Sequence, residues 1–356
     1  MEYRVGRINR VQEWESSARQ RAAPPPLQGA PFGCRMHGEG GYTVGVDLGA
    51  TKVASVLLDA EGRVSRSDRR PTDAGRGSAL VIQTVVDSVR SLTGAGTEIP
   101  SAVGVGVAAQ VDLAGLVRFA PNLRWKDVPL GEELRVALGT PVSVLNDVRA
   151  ATVGEWHHGV GRGEADLVCL FLGTGLGGGV VSGGHLLRGS SNAAGELGHL
   201  TIVHGGRRCT CLNSGCLEAY VGGWAIAERA REAARTDPAA AARLESASAA
   251  PLERLDTEAI VRLAGSGEPF AVQLLQETSD YLASGLVGIA NAFNPHLIVA
   301  GGGVLTGAWE VFERALESAR PRILPSIAEG LRGARTALGN DAVAIGAAEW
   351  ARGETA

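Results

Sequence analysis

From Tyr42 the chain places its apolar residues in short β-branched runs interrupted by glycine, the pattern of strands joined by tight turns. Tyr42-Thr-Val-Gly-Val-Asp47, the turn residues Leu48-Gly-Ala-Thr-Lys52 and Val53-Ala-Ser-Val-Leu-Leu-Asp59 predict a strand, a glycine turn and a second strand that closes at Glu61-Gly62. Between Ser78 and Leu92 the period changes. Leu80, Val81, Val85, Val89 and Leu92 recur at helical spacing and predict a helix with those residues inward. Val103–Val107 and Val142–Leu145 are continuous runs of the kind buried on both faces of a central sheet.

A second pass begins at Leu167-Val-Cys-Leu-Phe-Leu172, followed by a turn over Gly173-Thr-Gly-Leu-Gly-Gly-Gly179, then Val180-Val181 and another turn at Ser182-Gly183-Gly184. Strand, glycine turn with a threonine, strand thus recurs about 125 residues after its first appearance, which points to two related lobes. Beyond Gly222 the chain becomes alanine-rich and helical. Leu275, Leu282, Leu286, Ile289 and Phe293 line one face of a helix that must stop at Asn294-Pro295. Leu297-Ile-Val-Ala300 predicts a buried strand running into Gly301-Gly-Gly303, and Val343–Trp350 predicts a closing helix. Strands alternate with helices throughout, so the class is α/β. The division this implies is an N-terminal extension over residues 1–41, a small lobe over 42–150 joined by the C-terminal helix near 340–352, and a large lobe over 151–339.

Composition narrows the function classes. A chain of 356 residues accommodates about two domains. Its 45% hydrophobic and 20% charged content is ordinary for a folded protein, while 50 glycines is about twice ordinary usage and calls for many tight turns. Residues 1–41 carry arginines and Pro24-Pro25-Pro26 with no apolar period and read as a loosely ordered extension, with Met36 as an alternative start. A net charge of −4 offers no footprint for nucleic acid or an anionic membrane. No run reaches the ~18 apolar residues of a membrane span, no secretory leader is legible, and the expected location is cytoplasmic.

Candidate chemistry gathers in three places. The corners at Gly49, Thr51 and Lys52 and at Gly173, Thr174 and Gly175 turn backbone N–H groups outward, where they can meet phosphate oxygens. Either glycine alone would serve a hairpin equally well; the pairing of the two turns favours phosphate. Asp147 follows the Val142–Leu145 strand, where α/β sheets place their ligands, and can accept a hydroxyl proton during attack on phosphorus. The same aspartate also fits an N-cap of a helix starting near Val148. His199, Cys209, Cys211 and Cys216 supply one imidazole and three thiols at loop spacing, the donor set of a structural Zn²⁺. His157 and His158 have no such partners in the sequence. Glu196 and Glu218 flank that set and, with Asn122 and Asn146, can bond a polyhydroxylated ligand, or can simply face solvent.

These residues resemble the ROK (repressor, open reading frame, kinase) family, and most of all its zinc-containing glucokinases from actinobacteria. The likeness runs from Tyr42 to Trp350 and is carried by Asp47-Leu-Gly-Ala-Thr-Lys52, Pro121-Asn-Leu-Arg-Trp125, Asn146-Asp147, Leu172-Gly-Thr-Gly-Leu-Gly-Gly178, Glu196-Leu-Gly-His199, the cysteines with Glu218, and Gly301-Gly-Gly303. The resemblance implies an actin-like (ribonuclease H-like) two-lobed ATPase fold, a homodimer, and transfer of the ATP γ-phosphate to a sugar hydroxyl, typically on C6 of glucose. It also implies Asp147 as base and Asn122, Asn146, Glu196, His199 and Glu218 as sugar contacts. Gly49, Thr51, Lys52, Gly173, Thr174 and Gly175 would hold phosphate and Gly301, Gly302 and Gly303 the adenosine, with Zn²⁺ structural and Mg²⁺ arriving with ATP.

The chain departs from the family pattern at Leu212, often glycine, at Arg149, often asparagine, and at Ala108-Ala109-Gln110, which replaces a Pro-Gly. The departures near the acceptor leave an amino sugar or C7-cyclitol as an alternative substrate. A sugar-responsive repressor, also found in the family, would need a helix-turn-helix that residues 1–41 are too short and proline-rich to form.

Overall fold

The computed structural model describes residues 41–94, 99–248 and 251–355. The expected N-terminal extension lies outside the described residues, apart from Gly41.

Strands β1 (Thr43–Leu48), β2 (Lys52–Leu58), β3 (Val64–Pro71), β4 (Ala102–Val107) and β8 (Val142–Asn146) form one sheet in the order β3-β2-β1-β4-β8. β2 lies antiparallel to β1 and β3, whereas β1, β4 and β8 are parallel. A small antiparallel ribbon of β5 (Gln110–Val111), β6 (Val117–Ala120) and β7 (Trp125–Val128) rises from the carboxyl end of β4. The second large sheet holds β9 (Leu167–Leu172), β10 (Leu176–Ser182), β11 (His185–Leu186), β12 (Leu297–Gly301) and β13 (Arg332–Arg335) in the order β11-β10-β9-β12-β13. Its pairings repeat the senses of the first sheet, strand for strand. The internal echo in the sequence is therefore one sheet plan used twice, the plan of an actin-like α/β ATPase.

Helices α1 (Ser78–Leu92) and α2 (Leu130–Leu138) cover the first sheet. α1 has the bounds its periodicity predicts, but Leu80 stands 45% exposed, and Ile82 and Val86 fill the core beside Val81, Val85 and Val89. Helices α4 (Gly223–Thr236) and α5 (Pro269–Phe293) cover the second sheet, where Ile226, Leu282 and Leu286 meet Leu170, Leu172 and Ile298. Each such side chain, once fully buried, contributes about 1.5–3 kcal/mol. α5 ends where Asn294 turns left-handed at φ 46° and returns its N–H to Ala290.

Helix α3 (Asp147–His157) leads from the first sheet toward the second, and α6 (Ala342–Thr355) follows β13 and packs on β1, β4 and α3. The approach is backbone to backbone. A Cβ on Gly104 would stand 1.8 Å from the Ala347 carbonyl oxygen, and one on Gly346 1.8 Å from that of Ala150. Glu155, fully buried near the end of α3, accepts the N–H groups of Ala337 (3.0 Å) and Leu338 (2.9 Å), tying α3 to the segment that leads into α6. No helix among the described residues is long and apolar enough to cross a membrane.

One expected boundary changes. Gly177, Gly178 and Gly179 are not turn residues but part of β10. They are glycine because α3 and the residues around Leu197 lie directly on the strand: a Cβ on Gly177 would meet Val148 at 2.4 Å, and one on Gly179 would meet Thr152 at 2.1 Å.

Candidate active site

Because β1, β4 and β8 run parallel in near register, Leu48, Val107 and Asn146 come to one edge of the sheet. The first glycine turn and Asp147 are thereby brought to the same edge by strands far apart in sequence. In that turn the Gly49 N–H donates to Lys52 O at 3.0 Å, and Thr72 braces it by donating its hydroxyl to Gly49 O at 2.6 Å. The corner N–H is thus taken up inside the turn, contrary to the expectation that it points outward. Among the described residues, the amides of Ala50 and Thr51 donate to no backbone carbonyl.

Asn146, not Asp147, caps α3. Its backbone is extended, and its Oδ1 accepts the N–H groups of Val148 (3.0 Å) and Arg149 (3.2 Å) while Nδ2 donates to Ala109 O at 3.4 Å. With the cap filled by an amide, Asp147 occupies the first helical position as a half-buried carboxylate. Burial pushes its pKa above the usual range; the nearby Glu196 charge adds to this, and backbone N–H bonds from the helix start oppose it.

Asp47, near the end of β1, belongs to the motif that carries the family resemblance but has no role among the sequence expectations; the fold sets it beside Asp147. Burial raises it to about 6, helped by Asp147 and opposed by Lys52. A carboxylate on a strand end immediately before a phosphate-type turn was the available signal. Asn122 lies in the turn Pro121–Leu123 after β6, exposed, and its side chain makes no hydrogen bond among the described residues.

On the second sheet, the turn between β9 and β10 repeats the first. Gly173 donates its N–H to Gly175 O (3.0 Å), and the start of α4 grips the turn: Gly223 N–H bonds Gly173 O (3.0 Å) and Trp224 N–H bonds Thr174 O (2.9 Å). Beside it, β12 pairs in parallel with β9 and brings Gly301–Gly303 to the same edge. Gly302 has φ 97°, and a Cβ there would stand 2.4 Å from Leu172 O, so only glycine fits.

The residues Glu196 to Glu218 fold into one compact loop. Glu196 is exposed and close enough for its charge to act on Asp147, and His199 ends the short turn Leu197–His199. His199 Nδ1 lies 3.7 Å from Cys209 Sγ, and Cys211 Sγ lies 3.6 Å from Cys216 Sγ. All four donor atoms fall within 4.8 Å of one another. Metal–sulfur bonds of about 2.3 Å in a tetrahedron require edges of about 3.8 Å, so the donor set fits one Zn²⁺. Burial, then its thiol neighbours, push Cys216 up to about 12; a cation held by the set would draw that proton off. Glu218 is buried, with its carboxylate directed at the second glycine turn, where it accepts the Leu176 N–H at 2.9 Å.

The family model for ROK matches residues 43–354. The chain belongs to the ROK family. Among curated relatives, this ROK chain is 34% identical over 323 residues to a glucokinase of Streptomyces coelicolor, covering 88% of this chain and 98% of that one. A solved ROK family glucokinase from Streptomyces griseus, in complex with glucose and AMPPNP, is 33% identical and superposes with a TM-score of 0.74 over 88% of this chain and 99% of its own. The xylose repressor of Bacillus subtilis is more distant, at 25% identity over 312 residues, which are 86% of this chain and 76% of the repressor.

Proposed function

We propose that this ROK chain is an ATP-dependent sugar kinase that phosphorylates the C6 hydroxyl of glucose. The observation that carries the reading is the placement of Asp147, a half-buried carboxylate with a raised pKa, on the sheet edge that also bears the Asp47–Lys52 turn. A base of raised pKa takes a hydroxyl proton more readily, provided it is ionised at working pH. As the sugar oxygen loses its proton to Asp147, it attacks the γ-phosphorus, the bond from that phosphorus to the β-bridging oxygen breaks, and ADP leaves with the electron pair. The amides of the two glycine turns hold the phosphates, and Gly301–Gly303 lie against the adenosine. Glu196, His199, Asn122 and Asn146 orient the sugar, with Asn146 doing so from a side chain whose oxygen already caps α3.

Mg²⁺ entering with ATP would be held by Asp47, a hard oxygen donor, and would neutralise phosphate charge. The Zn²⁺ held by His199, Cys209, Cys211 and Cys216 is structural in this reading. Residues 42–150 with α6 act as a small lobe and residues 151–339 as a large one. The protein works as a cytoplasmic homodimer. The glucokinase relatives match more closely and over nearly their whole length, which supports a kinase over a repressor.

The test is a coupled ADP-release assay over glucose, mannose, N-acetyl sugars, kanosamine and C7-cyclitols. Glucose should give the highest kcat/KM. A preference for an amino sugar or cyclitol would reassign the acceptor, and no ADP release with any member would refute the kinase. Asp147→Asn should lower kcat by ~10²–10⁴-fold while the protein stays folded; a wild-type rate would remove Asp147 from the role of base.

A further inference from the structure

We propose that the cavity between Arg149 and Arg188 is a second ligand site, separate from the sugar and nucleotide site, and that it binds a phosphoryl group. Its walls come from beside both large sheets: Ser143 on β8 and the turn at residues 113–115 on one side, Leu186 of β11 with Arg188 and Asn192 on the other, and Arg149 of α3 and Trp350 of α6 between them. None of the residues assigned above to sugar, nucleotide or metal lines it. Its volume of about 80 Å³ has room for several waters, and so for one phosphate group.

Arg149 carries the argument. It is 3% exposed, and among the described residues its guanidinium makes one hydrogen bond, from Nη1 to Asn192 Oδ1 at 2.9 Å. A guanidinium presents several donors in a rigid fork and keeps its charge, so burying it without an anion is costly. Burial draws the Arg149 pKa below the usual arginine value; the Glu196 charge opposes this, Arg188 adds to it, and Asp147 opposes it. Neither carboxylate forms an ion pair with Arg149 among the described residues. Asn192 builds the site around it. Its backbone is left-handed at φ 58°, a conformation asparagine tolerates better than most residues. Its Nδ2 donates to Val111 O at 3.1 Å, which fixes the amide, and its Oδ1 accepts both Arg149 Nη1 and, at 3.4 Å, Arg188 Nε. Two guanidinium groups therefore converge on one neutral oxygen beside a cavity. Arg188 is steadied by the Trp350 ring, whose centroid lies 5.2 Å from its Cζ. Like charges gathered in this way repel each other, and an oxyanion placed between them replaces the repulsion with charge-assisted hydrogen bonds. The tetrahedral oxygens of a phosphoryl group can face two forks at once, where a carboxylate offers a single edge.

The experiment titrates the full-length protein calorimetrically with inorganic phosphate and with glycerol 3-phosphate, a phosphate monoester that lacks a hexose. Both titrations are repeated on Arg149→Met, Arg188→Met and Lys52→Met. Arg149→Met should raise the phosphate Kd about 10-fold or more, as expected for losing charge-assisted hydrogen bonds. Arg188→Met should raise it as well, and it decides the matter if Arg149→Met fails to fold, because Arg188 is only half-buried. Lys52→Met, in the first glycine turn, should leave that Kd within about twofold. In thermal scans phosphate should raise the wild-type melting temperature progressively with concentration and leave that of Arg149→Met unmoved; an arginine with a merely structural role would lower the melting temperature equally with and without phosphate. Tighter binding of glycerol 3-phosphate than of phosphate would identify the ligand as the phosphate end of an ester, and equal or weaker binding would identify it as free phosphate. Absence of binding to wild type, or a Kd that both arginine variants leave unchanged, would overturn the proposal. So would a Kd that rises only in Lys52→Met, which would put the anion at the glycine turn instead.

Discussion

Asp47 and Asp147 illustrate how position changes a carboxylate. Both stand at strand ends among protein atoms and both are raised by burial; the Asp147 charge raises Asp47 further, and the Glu196 charge raises Asp147. For Asp47 the sign follows from linkage. With its folded pKa raised to about 6, the stability it contributes is fully present at acid pH and is lost as pH rises through that value. Asp47→Asn should therefore melt higher than wild type at pH 7, with the difference shrinking toward pH 4 in thermal scans. Activity runs the other way, because phosphate chemistry needs the ionised forms. kcat/KM should climb as pH passes about 6, and a flat profile between pH 5 and 7 would contradict the role given to Asp47. Leu212 shows a different local conflict: it holds φ 77° with its side chain 86% exposed, in a region that costs a non-glycine residue about 1–2 kcal/mol. Leu212→Gly removes that strain, adds back some unfolded-chain entropy, and should raise stability by a few tenths to about 1 kcal/mol in urea titrations.

At the scale of elements, periodicity was a good guide wherever one face of a segment meets one neighbour. α1 has the bounds its apolar spacing predicts, and the strands at Val103, Val142, Leu167 and Leu297 all form. It was a poor guide where elements touch through backbone. Gly177–Gly179 look like a turn in one dimension, yet they are strand residues flattened to admit α3. The same rule governs α6, whose small residues let it lie on Gly45 and Gly104. Gly104→Ala drives a methyl into the Ala347 carbonyl, a clash no side-chain movement relieves, and should cost about 3 kcal/mol or more in equilibrium unfolding. Near-wild-type stability would mean that α6 docks differently.

Across the molecule, one sheet plan occurs twice, and each copy sets a glycine turn at the carboxyl end of its central parallel strand. His199, Cys209, Cys211 and Cys216 bring their donor atoms together within one loop, where a single cation would tie them to one another. Elemental analysis should find about one Zn²⁺ per chain, and Cys211→Ser or chelation should lower the melting temperature by several degrees while weakening sugar binding. A metal-free protein with unchanged melting and unchanged affinity would dismiss the centre. The sequence by itself determined the strand–turn–strand repeats, the gathering of His199 with the three cysteines and the aspartate after β8, because these depend on spacing within short segments. Only the tertiary structure decided that Asn146 takes the cap, that Asp47 joins Asp147, and that Glu218 faces a glycine turn rather than open solvent. Those outcomes depend on which distant strands lie side by side, and desolvation, close approach and carboxylate pairing arise only once the chain has folded around them.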